Sequence, residues 1–381
     1  MSSVDASKEP EVIVLGDSVA ALIAAWRLGS AGVATLLANL NTTPLPDRLG
    51  TLAPEFFGLH DDLAPLAKSL SPAPLSGAIF LEGEEVAATR EPGSALEHHE
   101  MGTPLAYVTS GDALRDALRP MVEAAGVATI SATPEKTTVE AVDQTGVTLY
   151  VAGKTVRPKI VVACDPLPGD IAASLEADAF TTADAPTVAL VDLETAPTGP
   201  AADGMLPMAL NLGGDLAWGW LLHDGGRTQV CVQRSGGEAA ELVQDWLDLL
   251  SRNGMLAETR ITPRQITQMR LPLGGALTRD VVARRTLLAG PAGGFYSASG
   301  EEFYPSAWSG LFAADVAIEA AKAEHVQDAL GTYRSVWGAT LGDYLRGPQQ
   351  NLRFLLPLVY KNPAMTDRLA EAILRGQSLV K

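Results

Sequence analysis

An apolar run near the start of the chain, Glu11-Val12-Ile13-Val14-Leu15, stops abruptly at Gly16. Runs of this kind mark a strand buried on both faces of a parallel sheet. From 18 to 30 the apolar residues recur at helical spacing, Gly32 closes that stretch, and 33–37 reads as a second strand. Strand, glycine turn, helix and strand in this order form a βαβ opening, which commits the chain to helices packed on a parallel sheet.

Composition narrows the function classes. The 381 residues are 47% hydrophobic and 19% charged, the balance of a well-packed globular protein. A formal net charge of −17, with no basic run or stripe, argues against a nucleic-acid partner. Cys164 and Cys231 lie far apart in apolar strand-like runs, so they read as buried thiols rather than a disulfide or redox pair. The N-terminal MSSVDASKEP lacks the order of a signal peptide, and 19–40 is interrupted by Arg27, Gly29 and Gly32, so it reads as helix, turn and strand rather than a membrane span. Together these features predict a cytoplasmic protein handling a small or apolar ligand. Among the five histidines only His98-His99-Glu100 clusters, and adjacent residues share no face, so that stretch reads as a solvated loop and no metal site is expected.

Further along, helical spacing returns at 112–125, followed by strand patterns at 127–130, 136–142, 146–151 and 159–163. From about 184 the texture becomes alternating, with strands at 188–191, 216–222 and 227–233, the last two joined by Asp224-Gly225-Gly226. A helix is expected over 238–253, then strands near 265–271 and 286–289, then helices at 306–323, 325–345 and 363–378. The predicted organisation is a Rossmann-like lobe from 1–75, 105–175 and 280–325. A β-sheet lobe from 76–104 and 176–279 is interleaved with it, and 326–381 forms a C-terminal helical region. The apolar stretch 352–360 has two readings, a peripheral membrane contact or the packing of a C-terminal helix on the core.

The opening matches a dinucleotide fingerprint in context but not in letter. The ideal Gly-x-Gly-x-x-Gly is here Gly16-Asp17-Ser18-Val19-Ala20-Ala21. Ser18 and Ala21 are small enough to keep much of the geometry, whereas Asp17 places a carboxylate where a pyrophosphate would lie. Asn39 stands where an acidic residue would bond a ribose hydroxyl.

Further motifs carry a resemblance to a family. Gly290-Pro291-Ala292-Gly293-Gly294-Phe295, then Gly300-Glu301-Glu302 and Ser309-Gly310, resembles the second flavin motif of geranylgeranyl-reductase-like enzymes and their halogenase and aromatic-hydroxylase relatives. Arg48-Leu49-Gly50-Thr51-Leu52-Ala53-Pro54 is similar to an upstream loop of that superfamily, Ala163-Cys164-Asp165-Pro166 to its Ala-Asp-Gly motif, and Trp218-Gly219-Trp220-Leu221-Leu222-His223 to its Trp-x-Trp strand. The resemblance runs from residue 11 to about 310, in family order. It implies an α/β fold with an FAD-binding Rossmann-like lobe, an interleaved mixed or antiparallel substrate lobe and C-terminal helices. It also implies FAD as cofactor, contacted by Gly16, Ser18, Ala21, Asn39, Asp165, Gly290, Pro291, Gly293, Gly294, Gly300 and Glu302.

The departures concentrate at that cofactor. Pro291 replaces the Asp of the flavin motif, and Glu302 replaces a Gly whose amide faces the flavin ring. Gly111 falls where many relatives carry an Arg, and Pro166 replaces the Gly after Asp165. Two readings therefore stand. In one, the chain is an FAD-dependent oxidoreductase of the geranylgeranyl-reductase-like type that delivers hydride to an apolar, prenyl or lipid-like substrate. Trp218, Trp220 and Leu222 then form an apolar wall, and His223 is a candidate proton donor. In the other it is a non-catalytic paralogue with an eroded FAD site, acting as a ligand-binding or accessory protein. A halogenase is rejected, because that chemistry depends on a lysine early in the substrate lobe and there is none between Lys68 and Lys136.

Overall fold

The computed structural model describes residues 9–40, 47–92, 104–178, 185–297, 300–346 and 352–377; His98, His99 and Glu100 lie outside the described residues. The first strand, Val12–Leu15, is buried throughout and pairs in parallel with Thr35–Asn39 on one side and Ile160–Ala163 on the other. Six strands line up as Val282–Ala283, Thr286–Leu288, Ile160–Ala163, Val12–Leu15, Thr35–Asn39 and Ala128–Ser131. Side-chain alternation splits the first strand between two cores. Val12 and Val14 pack with the helices Val19–Ser30, Gly111–Ala124 and Phe303–Lys322, while Ile13 and Leu15 pack against a three-stranded meander. That meander comprises Thr137–Val142, Val147–Val151 and Lys154–Val156. A strand with neighbours on both faces has no position for a polar residue, which explains its unbroken apolar run.

The second lobe is a seven-stranded sheet in the order Thr267–Arg270, Thr187–Leu193, Thr228–Arg234, Ala217–His223, Met205–Leu212, Gly77–Glu82 and Glu85–Arg90. All its pairings are antiparallel except Met205–Leu212 with Gly77–Glu82. One face carries the helix Val243–Arg252, whose Trp246 is fully buried. The other carries Trp218, Trp220 and Leu222 beneath the helices Leu352–Tyr360 and Pro363–Arg375. A small sheet of Leu49–Leu52, Ala106–Ser110 and Ala73–Leu75 lies beside both lobes.

Several boundaries differ from the sequence expectation. The second strand starts at Thr35 rather than 33, because the amide of Val33 still bonds the Leu28 carbonyl and so belongs to the helix end. The helix expected over 238–253 begins as a 3-10 turn, Ala239–Leu242, before the α-helix from Val243. The helix expected over 325–345 is two, Val326–Thr340 and Gly342–Arg346. Met205–Leu212 gave no strand signal because Pro207 sits inside it. A proline is tolerated where its position does not require the missing amide.

Candidate cofactor site

The registers Leu15 with Ala163 and Ala163 with Leu288 bring the carboxyl ends of three parallel strands side by side. Gly16, Asp165 and Gly290 follow those ends, at the crevice where open α/β sheets bind ligands. Gly16 has φ +135°, and a Cβ there would lie 2.6 Å from the Asp165 side chain. Gly290 has φ +50°, and a Cβ there would lie 2.5 Å from the Ala20 Cβ and 3.2 Å from the Cys164 carbonyl oxygen. The two glycine segments therefore converge on one place.

The polar groups there are already partnered within the chain. Asp165 accepts from the amides of Asp17 (2.8 Å) and Ser18 (3.2 Å), the amides at the mouth of the first helix. Burial pushes the Asp165 carboxyl above its ordinary range, against the hydrogen bonds from Ser18 and the Asp17 amide. The Asp17 carboxylate turns to Arg119 of the helix Gly111–Ala124 at 2.6 Å. Ser18 caps its helix by accepting from the amide of Ala21, which is itself buried. Asn39 ends its strand beside Ser131, and its backbone carbonyl accepts from Ala132 at 2.8 Å.

In the second segment, Pro291 opens the short helix Gly290–Gly293, where a missing amide costs nothing. The Gly290 amide donates to Ser309 Oγ at 2.9 Å. Gly293 and Gly294 are required by packing: a Cβ at Gly293 would meet the Phe295 ring at 2.6 Å, and one at Gly294 would meet Gly275 Cα at 2.8 Å. Glu302 precedes the long helix Phe303–Lys322 and pairs with Arg48 at 2.6 Å, while the same guanidinium nitrogen donates to the Gly300 carbonyl at 2.9 Å. Burial opposes the charge on Arg48, but Glu302 and its neighbours hold its pKa above the ordinary value. Phe303 packs so closely that a Cβ at Gly50 would lie 2.6 Å from its ring.

Trp218, Trp220 and Leu222 do share a face, and all three are buried. Trp220 and Gln233 press on the glycine loop, since a Cβ at Gly300 would lie 3.0 Å from Gln233 Oε1 and 3.7 Å from the Trp220 ring. The cavity left among Arg48, Thr51, Trp220, Leu222, Cys231 and Gly300 is about 10 Å³, enough for one water at most. His223 is not brought to this point. It lines a separate surface depression with Leu75, Met205 and Gly225, and its Nδ1 lies 3.0 Å from Thr228 Oγ1.

A flavin ring lying between Gly300 and Trp220 needs roughly two carbon contacts of about 3.5–4.0 Å, one on each side. The present spacing holds about one methyl group, so as arranged these residues do not fit the ring half of FAD between the lobes. The residues that close the gap are Arg48, Gln233, Glu301 and Trp220. Of these, Arg48, Glu301 and Trp220 fall inside motifs quoted from the sequence, whereas Gln233 carried no signal there beyond ending a strand. The adjacent Glu301-Glu302 pair was visible, but nothing in a linear sequence says which carboxylate turns inward.

No protein-family model matches this chain, and no curated protein does. Solved structures do. A geranylgeranyl bacteriochlorophyll reductase-like protein of Thermoplasma acidophilum is 14% identical, with 96% of this chain and 89% of that one covered at a TM-score of 0.66. The p-nitrophenol 4-monooxygenase of Pseudomonas putida is 16% identical over 96% of this chain and 97% of its own, also at 0.66. The flavin-dependent brominase Bmp2 is 14% identical over 97% and 94%, again at 0.66. At such identities the likeness shows the fold. This chain has the two-lobed α/β fold of the FAD-dependent oxidoreductases, in agreement with the resemblance read from its motifs. Among the described residues no helix is long and apolar enough to cross a membrane, and no cluster of metal-ligating side chains occurs.

Proposed function

We propose that this chain is a non-catalytic paralogue on the flavin-dependent oxidoreductase fold, acting as a ligand-binding or accessory protein. One observation carries the reading: Arg48 ties the Gly300 carbonyl to Glu302 while Trp220 and Gln233 press on Gly300 from the other lobe. Opening that place for a ring would separate a largely buried ion pair, and breaking such pairs costs about 3–5 kcal/mol. The glycines do not oppose this reading, because Gly290, Gly293 and Gly294 each meet a close neighbour that would exclude any side chain.

The test is the visible spectrum of the purified protein and a titration with FAD followed by flavin fluorescence. The expected result is a colourless protein that leaves the fluorescence of added FAD unchanged. A yellow protein, or stoichiometric quenching, would overturn the proposal.

The converging strand ends favour a second reading, in which the chain is an FAD-dependent oxidoreductase of the geranylgeranyl-reductase-like type acting on an apolar prenyl or lipid-like substrate. FAD would then supply hydride chemistry, and Gly16, Ser18, Gly290 and Gly300 would line its path. Trp218, Trp220 and Leu222 would face the substrate. Should flavin bind, Trp220→Ala is expected to lower turnover more than flavin content; an equal loss of both would make Trp220 a residue of the fold instead.

A further inference from the structure

Seven large apolar side chains are exposed among the described residues, and three of them, Phe354, Leu355 and Leu358, stand together on the helix Leu352–Tyr360. They are 79%, 40% and 67% exposed. The opposite side of the same helix is spent on the core: Leu352, Leu356 and Val359 are buried in the cluster that holds Trp218, Trp220 and Leu222, and Tyr360 stacks on Phe80 with ring centroids 5.8 Å apart. The helix thus has two apolar faces, one docked and one turned outward, with exposed Pro357 and Lys361 beside the outer one. Large apolar side chains grouped and exposed on one face of a folded protein are the mark of a surface that meets a partner or a membrane.

Charge identifies the partner. From residue 346 to the end the chain carries six Lys and Arg against two Asp and Glu, whereas the rest carries 22 against 43. Of these charges Glu371 is buried against Arg90, Arg375 is buried against Glu55, and Arg346 pairs with Asp343 just outside the segment, which leaves Arg353, Lys361, Arg368 and Lys381 against Asp367. A cationic segment bearing exposed Phe and Leu, on a chain that is otherwise strongly anionic, has the composition of an element that seats on an anionic bilayer. In a symmetric dimer a second copy would instead set the same cationic segment against itself.

We propose that the helix Leu352–Tyr360 docks this protein peripherally on anionic membranes, with Phe354, Leu355 and Leu358 entering the headgroup boundary and basic residues of the C-terminal segment contacting lipid phosphates. The proposal does not depend on whether the cleft holds flavin. The docked face touches the Trp218–Trp220 wall, so an apolar ligand leaving the bilayer would meet this helix before the wall.

The experiment is co-sedimentation of the full chain with vesicles of phosphatidylcholine alone or mixed with phosphatidylglycerol, at low and high salt. The wild type is expected to sediment with the mixed vesicles, less so at high salt, and poorly with phosphatidylcholine alone. The F354S/L358S variant should lose at least tenfold in partitioning with an unchanged melting temperature, since both side chains are exposed. If that variant fails to fold, Lys361→Glu is expected to weaken binding to the mixed vesicles alone. Absence of sedimentation by the wild type, equal binding by F354S/L358S, or equal binding to both vesicle types would overturn the proposal. So would a concentration-dependent dimer that F354S/L358S abolishes, because the face would then be a contact between protein copies.

Discussion

Glu301 carries the clearest consequence at the scale of single residues. Its carboxyl is buried, accepts from the Tyr304 amide (2.9 Å) and the Tyr344 hydroxyl (2.9 Å), and lies next to the Glu302–Arg48 pair. Burial pushes its pKa from 4.5 up to about 8, against those two hydrogen bonds. The folded state therefore keeps a proton that the unfolded chain has released above its ordinary carboxylate range. Between these two values the unfolded state binds fewer protons, so stability falls as pH rises from about 4.5 to about 8 and levels off beyond. The loss amounts to a few kcal/mol at about 1.4 kcal/mol per unit. Glu301→Gln keeps an acceptor for Tyr304 and a partner for Tyr344 but cannot ionise. Urea melts at several pH values across that window should show a shallower decline in the variant, and identical slopes would contradict the assignment.

Among the elements, the crossing of the first helix, Val19–Ser30, over Phe303–Lys322 sets the site, because it holds the Gly16 turn against the Gly290 segment. Gly310 makes that crossing close: a Cβ there would lie 2.4 Å from the Ala20 carbonyl oxygen and 2.9 Å from the Ala20 Cα. Both obstacles are backbone, so neither can swing aside. Alanine ordinarily gains up to about 1 kcal/mol over glycine inside a helix. At Gly310 the overlap outweighs that gain, and Gly310→Ala is expected to destabilise by about 1–3 kcal/mol. Gly338, exposed on the helix Val326–Thr340 with no atom near its would-be Cβ, has only the favourable effect. Gly338→Ala should stabilise by up to about 1 kcal/mol. The opposite signs of the two substitutions in one chemical melt test the packing directly; a stabilising Gly310→Ala would mean that the helices do not cross this closely.

For the whole molecule, the chain passes between the lobes repeatedly, and polar ties fasten them: Leu49 donates to Gln229 at 2.9 Å, and Arg227 reaches Asp47 at 2.7 Å. Neither lobe is a continuous segment, so calorimetry should give one unfolding transition with matching calorimetric and van't Hoff enthalpies. Two resolved transitions would refute this coupling. The parallel core was legible in the sequence because a strand buried on both faces must be apolar at every position, as Val12–Leu15 and Ile160–Ala163 are. The Gly16 turn, the Trp218–Trp220 alternation and the Asp224-Gly225-Gly226 hairpin were legible for a similar reason, since each obeys a local rule of turn or period. Glu85–Arg90, an edge strand with half of its residues half-exposed, and Pro207 inside Met205–Leu212 follow no such rule. Local periodicity and turn chemistry thus determined that this is a βαβ-based two-lobed fold and where its glycine turns fall. Whether those turns leave room for a cofactor was decided only in three dimensions. Arg48, Gly300 and the hairpin that carries Trp220 and Gln233 come from separate parts of the chain, and their contacts depend on how the lobes pack.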